Sequence, residues 1–176
     1  MIYFILPAYN EEKNIKLLLN NISNFYKKKK ILLHIVVIND GSSDQTYSNI
    51  KKIKKKFFHK LTIINHKKNL GLGKTLRTGF IHILKASRQD DIIITMDSDN
   101  SHTPENSYLI IKKINEGFDV VIASRYSKLS RTYGLSYLRK ILSFTSCLIF
   151  KILFPIKNVN RSEEHTSELQ SHWYIS

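Results

Sequence analysis

The chain has 176 residues, of which 42% are hydrophobic, enough for one domain with a sizeable core. Its six glycines, three prolines and single cysteine exclude a collagen-like repeat, a low-complexity disordered chain and a disulfide scaffold. The net charge of +14 suits several anionic partners, but the lysines occur in runs typical of solvated faces, so charge alone assigns no function.

The first residues predict no signal peptide. Met1 leads directly into the apolar run IYFILP, which has no basic region before it and is too short to span a membrane. The one cysteine, Cys147, cannot form an internal bridge, so nothing indicates an oxidising compartment. We therefore expect a cytoplasmic protein.

Short apolar runs predict five β-strands, at 2–6, 32–38, 61–65, 91–96 and 119–123. Each run is continuously apolar rather than alternating, as expected for strands covered on both faces. Helical patterns follow the first four runs. The first begins near residue 10 or 11, the second follows Asp44 as its N-cap, the third follows Gly71, and the fourth has Thr103 as its N-cap.

This alternation of strands and helices predicts βαβ units. The fold class is therefore α/β, a three-layer sandwich with a mostly parallel central sheet. In such sheets ligands bind outside the carboxyl ends of the strands. Polar segments follow four of the five predicted strands, namely PAYNEE, NDGSSDQT, DSDNSHTPE and SRY.

Asp97 and Asp99 stand two residues apart after an apolar strand, and two such carboxylates would be costly to leave unpaired. Carboxylate oxygens are ligands that Mg²⁺ or Mn²⁺ accepts, with positions left for water and phosphates. The alternative is a turn and helix cap, because DSDN is also good turn chemistry. His102 is a weaker candidate ligand.

The segment after the second strand gives another candidate. Asp44 fits a helix cap, while Asp40 at the strand end is expected to have oxygens free for a ligand, such as the N–H groups of a nucleobase. The segment NLGLGKT is not a P-loop, because Lys68 stands where a glycine is needed, and Leu76 breaks the dinucleotide fingerprint. A glycine-permitted turn into a helix remains, suited to a phosphate or to close packing.

Five segments, PAYNEE, VVINDGSSDQT, NLGLGKTLRTGF, MDSDNSHTPE and ASRY, resemble glycosyltransferase family 2 in this order. More narrowly, they resemble the dolichol- or polyprenol-phosphate mannosyl and glucosyl transferases. The resemblance covers about residues 2–154 and implies the GT-A fold, a nucleotide-diphospho-sugar transferase-like sandwich.

The resemblance also implies roles for matched residues. Around the nucleotide base and ribose it places Pro7, Tyr9, Glu11 and Asp40. Asp97 and Asp99 correspond to the DxD motif, which binds Mg²⁺ or Mn²⁺ against the diphosphate, with Asp97 also in the nucleotide site and Asp99 catalytic.

Three further positions are carried over. Arg125, in the SR pair, is expected to contact phosphate as the second catalytic residue. Arg139 and Ser143 resemble the element that binds the lipid-phosphate acceptor. Two departures stand out: Ser101, an expected metal ligand, stands where related sequences often have Gln, and Asn39 replaces the first Asp of DDGS.

The implied reaction is metal-dependent transfer of a sugar from a GDP- or UDP-sugar to an acceptor. A polyprenyl or dolichyl phosphate at the membrane surface is favoured, and a saccharide chain in cell-surface polysaccharide synthesis is the alternative. The apolar helical stripe in 135–154 fits either the membrane interface or packing on protein. We expect a peripheral location at the cytoplasmic face of a membrane.

The segment 161–176 differs from the rest of the chain. RSEEHTSELQSH resembles a translated sequencing adapter, so we predict a non-native tail at 161–176 and a C-terminally truncated catalytic domain at 1–160. The interpretation from a different class is a basic nucleic-acid-binding module. It is disfavoured because the aromatic residues fall mostly in apolar strands and helices, so no nucleic-acid partner is expected. An NTPase is disfavoured by the missing P-loop glycine.

Overall fold

In a computed structural model of the protein, residues 1–123 and the backbone of residues 174 and 175 are described. Strands and helices alternate through the first 115 residues. In chain order they are β1 (Ile2–Ala8), α1 (Ile15–Lys28), β2 (Leu33–Asn39), α2 (Thr46–Lys54), β3 (Lys60–Asn65), α3 (Leu72–Leu84), β4 (Ile92–Thr95), α4 (Pro104–Asn115) and β5 (Tyr174–Ile175).

The strands form one sheet in the order β3-β2-β1-β4-β5, and the first four are parallel to each other. Ile2 in β1 is in register with Leu33 of β2 on one side and with Ile92 of β4 on the other. β1 is therefore central, and its fully buried Phe4, Ile5 and Leu6 belong to the core. The predicted mostly parallel α/β fold is confirmed.

Helices cover both faces of the sheet, and the strand order explains which face each takes. Strands β1, β2 and β3 follow one another in one direction, so right-handed crossovers place α1 and α2 on the same face. The chain then returns past β1 to form β4, which places α3 on the opposite face. There the buried cluster includes Ile5, Val36 and Ile83.

The other face is filled from α1 and α4. The ring of Phe4 lies 5.6 Å from that of Tyr26, and the Tyr26 hydroxyl lies 2.7 Å from Ser107 Oγ. Because Phe4 and Ile5 are neighbours in β1, their side chains point to opposite faces. Helices thus pack against β1 from both faces of the sheet, which gives the three layers of the sandwich.

The fifth strand predicted at 119–123 is wrong. These residues form no strand, and Val120 is 49% exposed. The β4 edge that they would need is paired instead, antiparallel, with residues 174 and 175. A short apolar run has no preference for one edge, and an open edge strand pairs with any β-prone segment that reaches it.

Two helix starts also differ from prediction. α1 begins at Ile15 rather than near residue 10, and the N-cap of α2 is Gln45 rather than Asp44. The predicted start of α4, with Thr103 as N-cap, and that of α3 after Gly71 are confirmed.

None of the described helices is long and apolar enough to cross a membrane. The apolar stripe in 135–154 lies outside the described residues.

Candidate active site

A cleft of about 330 Å³ opens at the carboxyl edge of the sheet. Because parallel strands all end at this edge, the loops after β1, β2, β3 and β4 meet there, around the strand where the order reverses. The lining residues are Pro7, Ala8, Tyr9, Glu11, Asp40, Asn69, Gly71, Leu72, Thr75, Asp97, Ser98 and Asp99.

The cleft brings together six of the residues singled out in the sequence, namely Pro7, Tyr9, Glu11, Asp40, Asp97 and Asp99. Ser101 is exposed and does not line it. Arg125, Arg139 and Ser143 lie outside the described residues.

The loop after β1 is tied to the loop after β2. Asn10 adopts a left-handed backbone, with φ of 56°. Its backbone N–H donates to Ser42 Oγ at 3.0 Å, and its side-chain Oδ1 accepts from the Ser43 N–H at 2.9 Å. These two bonds join segments 32 and 33 residues apart in the chain.

Glu12, Asp44 and Thr46 continue this connection. Asp44 accepts from the backbone N–H of Glu12 at 3.1 Å and of Thr46 at 2.9 Å, while the Glu12 carboxylate accepts from the Gln45 N–H at 3.0 Å. Burial alone would raise the pKa of Asp44, but these bonds and the Thr46 hydroxyl hold it below its ordinary value. Asp44 therefore joins two loops, and residues 10–14 serve that junction instead of extending α1.

Gly41 marks a close approach between the loops after β2 and β3. Its φ is +67°, and a Cβ built there would lie 2.3 Å from the Lys68 carbonyl carbon and 2.6 Å from the Asn69 nitrogen. Both of these are backbone atoms and cannot move aside separately. A glycine is required by the space as well as by the backbone angle.

Asp40 is buried at the end of β2, with 4% of its surface exposed. Oδ1 accepts from His66 Nδ1 at 2.6 Å and from the Leu70 N–H at 3.0 Å, and Oδ2 accepts from the Gly71 N–H at 2.9 Å. Burial would raise the pKa of this carboxyl, but the bonds from His66, Leu70, Thr75 and Gly71 lower it. The expectation that its oxygens are free is wrong, because they are engaged with the loop after β3.

His66 is the contact that the sequence analysis missed. Asn39 of β2 is in register with Asn65 of β3, so the next residues of the two strands, Asp40 and His66, stand side by side. In the sequence, the signal of this contact is that Asp40 and His66 each stand directly after a strand. It predicts that they are neighbours only when the register of β2 and β3 is known.

Asn39, which replaces the first aspartate of the DDGS pattern, is buried and donates from Nδ2 to Asn65 Oδ1 at 2.5 Å. Its own Oδ1 has no hydrogen-bond partner among the described residues. The pair is a neutral amide contact beside the charged Asp40.

The residues after β4 alternate in direction. Ser98 is buried, and its hydroxyl donates to the Pro7 carbonyl at 2.7 Å, which fixes this loop to the end of β1. Asp97 is half-buried and Asp99 is exposed, and both line the cleft. The serine thus anchors the segment while its two neighbours present carboxylates.

Asp99 also forms a local turn. Its Oδ1 accepts from the Ser101 N–H at 2.8 Å, a bond typical of an Asx-turn. Burial would raise the pKa of Asp99, but the hydrogen bonds from Ser101 and the electrostatic attraction of the nearby His102 lower it, so the carboxylate is ionised at neutral pH. Ser101 contacts Asp99 and does not line the cleft, so the turn is present, while Asp97 and Asp99 also line the cleft. The metal site stays a prediction.

The donor set fits a hard divalent cation. No cluster of three or more candidate His, Cys, Asp or Glu ligands is present between residues 1 and 123. Mg²⁺ is commonly held by one or two carboxylates, with water and substrate phosphates completing its shell. Two carboxylates at a cleft large enough for phosphates meet that requirement.

Comparison with known proteins gives a consistent result. A family model described as glycosyl transferase family 2 matches residues 3–171. The match runs past residue 161, where we place the start of the tail, so that boundary stays a prediction.

Two curated relatives cover most of this chain. Dolichol-phosphate mannosyltransferase of Pyrococcus furiosus is 29% identical over 151 residues, which is 86% of this chain and 40% of the relative. UDP-N-acetylglucosamine--dolichyl-phosphate N-acetylglucosaminyltransferase of Methanococcus voltae is 30% identical over 165 residues, 85% of this chain and 63% of the relative. The chain thus spans about two fifths of one relative and less than two thirds of the other.

Two solved structures are similar. S. aureus TarS 1-349 in complex with UDP-GlcNAc has a TM-score of 0.54 and 27% identity, covering 77% of this chain and 37% of that one. Glucosyl-3-phosphoglycerate synthase from Mycobacterium tuberculosis, in complex with Mn²⁺, UDP and phosphoglyceric acid, has a TM-score of 0.64 and 19% identity, covering 100% and 55%. The second likeness concerns the fold alone.

Proposed function

The chain belongs to glycosyl transferase family 2, as its motifs predicted, and on that premise we propose that it transfers a sugar from a nucleoside diphosphate sugar to a lipid phosphate. The observation that carries the proposal is the shared cleft of Asp97, Asp99 and Asp40, with the 48%-exposed ring of Tyr9 at its side. Carboxylates for a metal and a ring face for a base lie within one nucleotide-sized space.

Each part of the cleft has a role in binding the donor. The exposed ring of Tyr9 offers a surface on which a base stacks, with Pro7 and Glu11 beside it. Asp40 keeps the loop after β3 in place, and Asn69 and Gly71 of that loop line the cleft where the nucleotide would bind. The Methanococcus relative, whose name specifies a UDP-sugar, and the TarS structure with UDP-GlcNAc support a UDP-sugar as the first donor to test.

Asp97 and Asp99 would hold Mg²⁺ or Mn²⁺, which supplies Lewis-acid stabilisation of the nucleoside diphosphate that leaves. The chain's own contribution is to hold the two carboxylates in place, through the Ser98 bond to Pro7. A phosphate acceptor is already anionic near neutral pH, so no dedicated base is needed. Arg125 is proposed to contact phosphate, and Arg139 and Ser143 to bind the acceptor.

The acceptor is inferred from relatives. The names of the Pyrococcus and Methanococcus proteins specify dolichol or dolichyl phosphate, and this supports a polyprenyl or dolichyl phosphate here. Such a substrate lies in a membrane, so we propose that the protein works at the cytoplasmic face of one.

The first experiment is calorimetric titration of the 176-residue chain with UDP and GDP, with and without Mn²⁺. We expect Mn²⁺-dependent binding of one nucleotide, lost in the double variant Asp97→Asn/Asp99→Asn. The control is Asp90→Asn, which removes an exposed carboxylate in the turn before β4. No nucleotide binding by a folded wild-type chain would overturn the site assignment.

A second experiment separates the acceptors. The chain is incubated with UDP-GlcNAc or GDP-mannose and Mn²⁺, together with a polyprenyl phosphate or a soluble oligosaccharide, and the products are separated by chromatography. Sugar recovered on the lipid supports the proposal. Sugar recovered on the oligosaccharide alone would move the function to saccharide synthesis.

A further inference from the structure

His66 lies directly after β3 and contacts the end of β2, the cleft residue Asp40 and helix α3. Its backbone N–H donates to the Asn39 carbonyl at 2.9 Å, which extends the pairing between β2 and β3. Its ring nitrogens lie 2.6 Å from Asp40 Oδ1 and 3.1 Å from Thr78 Oγ1 of α3. The imidazole therefore bridges the sheet edge and the helix on either side of the loop 67–71.

Hydrogen-bond chemistry determines one end of this bridge. The pKa of Asp40 is lowered, because the hydrogen bonds it accepts outweigh its burial, so near neutral pH it is ionised and accepts only. His66 Nδ1 must then carry a proton and donate it. The Thr78 hydroxyl can serve Nε2 in either direction, because it has the Lys74 carbonyl at 2.9 Å as a second partner.

The bond from His66 acts on a carboxylate that holds the cleft wall. Asp40 accepts the amides of Leu70 and Gly71, and Gly71 is the N-cap residue of α3. Asn69, Gly71 and Leu72 all line the cleft. Rotation of the Asp40 carboxylate would release the amides of Leu70 and of Gly71, which itself lines the cleft.

We propose that His66 is a positioning residue for the donor nucleotide, holding the Asp40 carboxylate against the Leu70 and Gly71 amides through its Nδ1–H. This inference rests on the proposed function of the cleft as a nucleotide site. His66 itself does not line the cleft, and so it acts through Asp40.

Two substitutions separate the two ends of the imidazole. The amide nitrogen of asparagine takes about the place of Nδ1, and that of glutamine takes about the place of Nε2. His66→Asn therefore keeps the donor to Asp40 and loses Thr78, whereas His66→Gln does the reverse. We expect His66→Asn to bind nucleotide within about threefold of wild type and His66→Gln to bind about tenfold more weakly, the size typical of losing one bond to a buried charge.

Amide hydrogen exchange by NMR, on the nucleotide-free chain, gives a second result. In His66→Gln the amides of Leu70 and Gly71 should exchange about tenfold faster than in wild type, and in His66→Asn at about the wild-type rate. Thr78→Val, which keeps the Nδ1 bond, should resemble His66→Asn. His34→Gln is the matched control, because His34 is a buried histidine bonded to Thr62 Oγ1 away from the cleft.

The outcomes are distinguishable. Equal loss of affinity and protection in His66→Asn and His66→Gln would mean that the ring only fills space, and equal retention would mean that the bond to Asp40 is dispensable. Either result overturns the inference. If the wild-type chain binds no nucleotide, the proposed function fails, but the exchange rates at Leu70 and Gly71 still decide whether His66 positions Asp40.

Discussion

Asp40 and Asp99 are both ionised carboxylates of one cleft, yet their surroundings are opposite. Asp40 is 4% exposed and accepts from His66 and from two loop amides, so it is part of the framework. Asp99 is exposed, its Oδ1 accepts from Ser101 two residues away, and it borders the open cleft. The same side chain therefore stabilises the framework in one region and borders the open cleft in the other, and substitutions should separate stability from activity.

The largest effect is expected from Asp99→Asn. The amide oxygen can still accept from Ser101, so the turn persists, while the charge that would hold a cation is lost. Sugar transfer should fall by about 100-fold, as when one electrostatic stabiliser is removed. The free energy of unfolding, measured in urea, should change by no more than about 0.5 kcal/mol, since the residue is exposed. A loss of several kcal/mol would show that Asp99 is also part of the framework.

Gly41→Ala should lower the free energy of unfolding although it changes no carboxylate of the cleft. The new methyl group would overlap the backbone at Lys68 and Asn69, and the φ of +67° strains any other residue. We expect the free energy of unfolding, measured in urea, to fall by about 2–4 kcal/mol. Gly73→Ala is the matched control, because a Cβ there meets no atom within 4 Å. It lies in α3 and should be neutral or stabilising by up to about 1 kcal/mol.

Asp40→Asn should lower stability and nucleotide affinity together. The amide turns one acceptor into a donor that faces an N–H group. The free energy of unfolding should therefore fall by about 1–3 kcal/mol. Because its folded pKa is lower than its ordinary 3.8, Asp40 contributes stability fully above pH 3.8, and this contribution fades as the pH falls through the folded value. Urea unfolding between pH 2 and pH 5 should therefore show a shallower pH dependence in the variant. An unchanged slope would contradict this assignment.

The smallest effect is expected at Asn10. Asn10→Ala loses the bond to the Ser43 N–H and strains the left-handed backbone, whereas Asn10→Gly loses only the bond. Losses of about 1–2 kcal/mol for alanine and about 0.5 kcal/mol for glycine are expected in urea unfolding. A larger loss for glycine than for alanine would mean that the backbone angle does not matter here.

Much of the fold could be predicted from local patterns in the sequence. The apolar runs that became β1, β2, β3 and β4 are continuous because both sides of the sheet are covered, and carboxylates after two of them could be expected at one edge. The sequence therefore predicted that Asp40, Asp97 and Asp99 lie near one another, and all three line one cleft. Thr103 and Pro104 predicted the start of α4 because capping is a local effect.

The errors arose where partners are distant in the chain. The run 119–123 has the composition of a strand, but strand formation also needs an unoccupied edge. Asp44 was assigned only a local capping role, because its bond from the Glu12 N–H crosses 32 residues and is not visible in the local sequence. Asp40 looked free because His66 becomes its neighbour only through the register of β2 and β3.

The central position of β1 has a consequence for synthesis. Its first partner, β2, begins about 31 residues after it, but Ile92, which pairs with Ile2 on the other side, is translated 90 residues later. Until then, a nascent chain that has already joined β1, β2 and β3 presents the hydrogen-bonding edge of its most buried strand to the surroundings. That interval is when self-association of the emerging chain is most favourable, and it ends when β4 leaves the ribosome and docks.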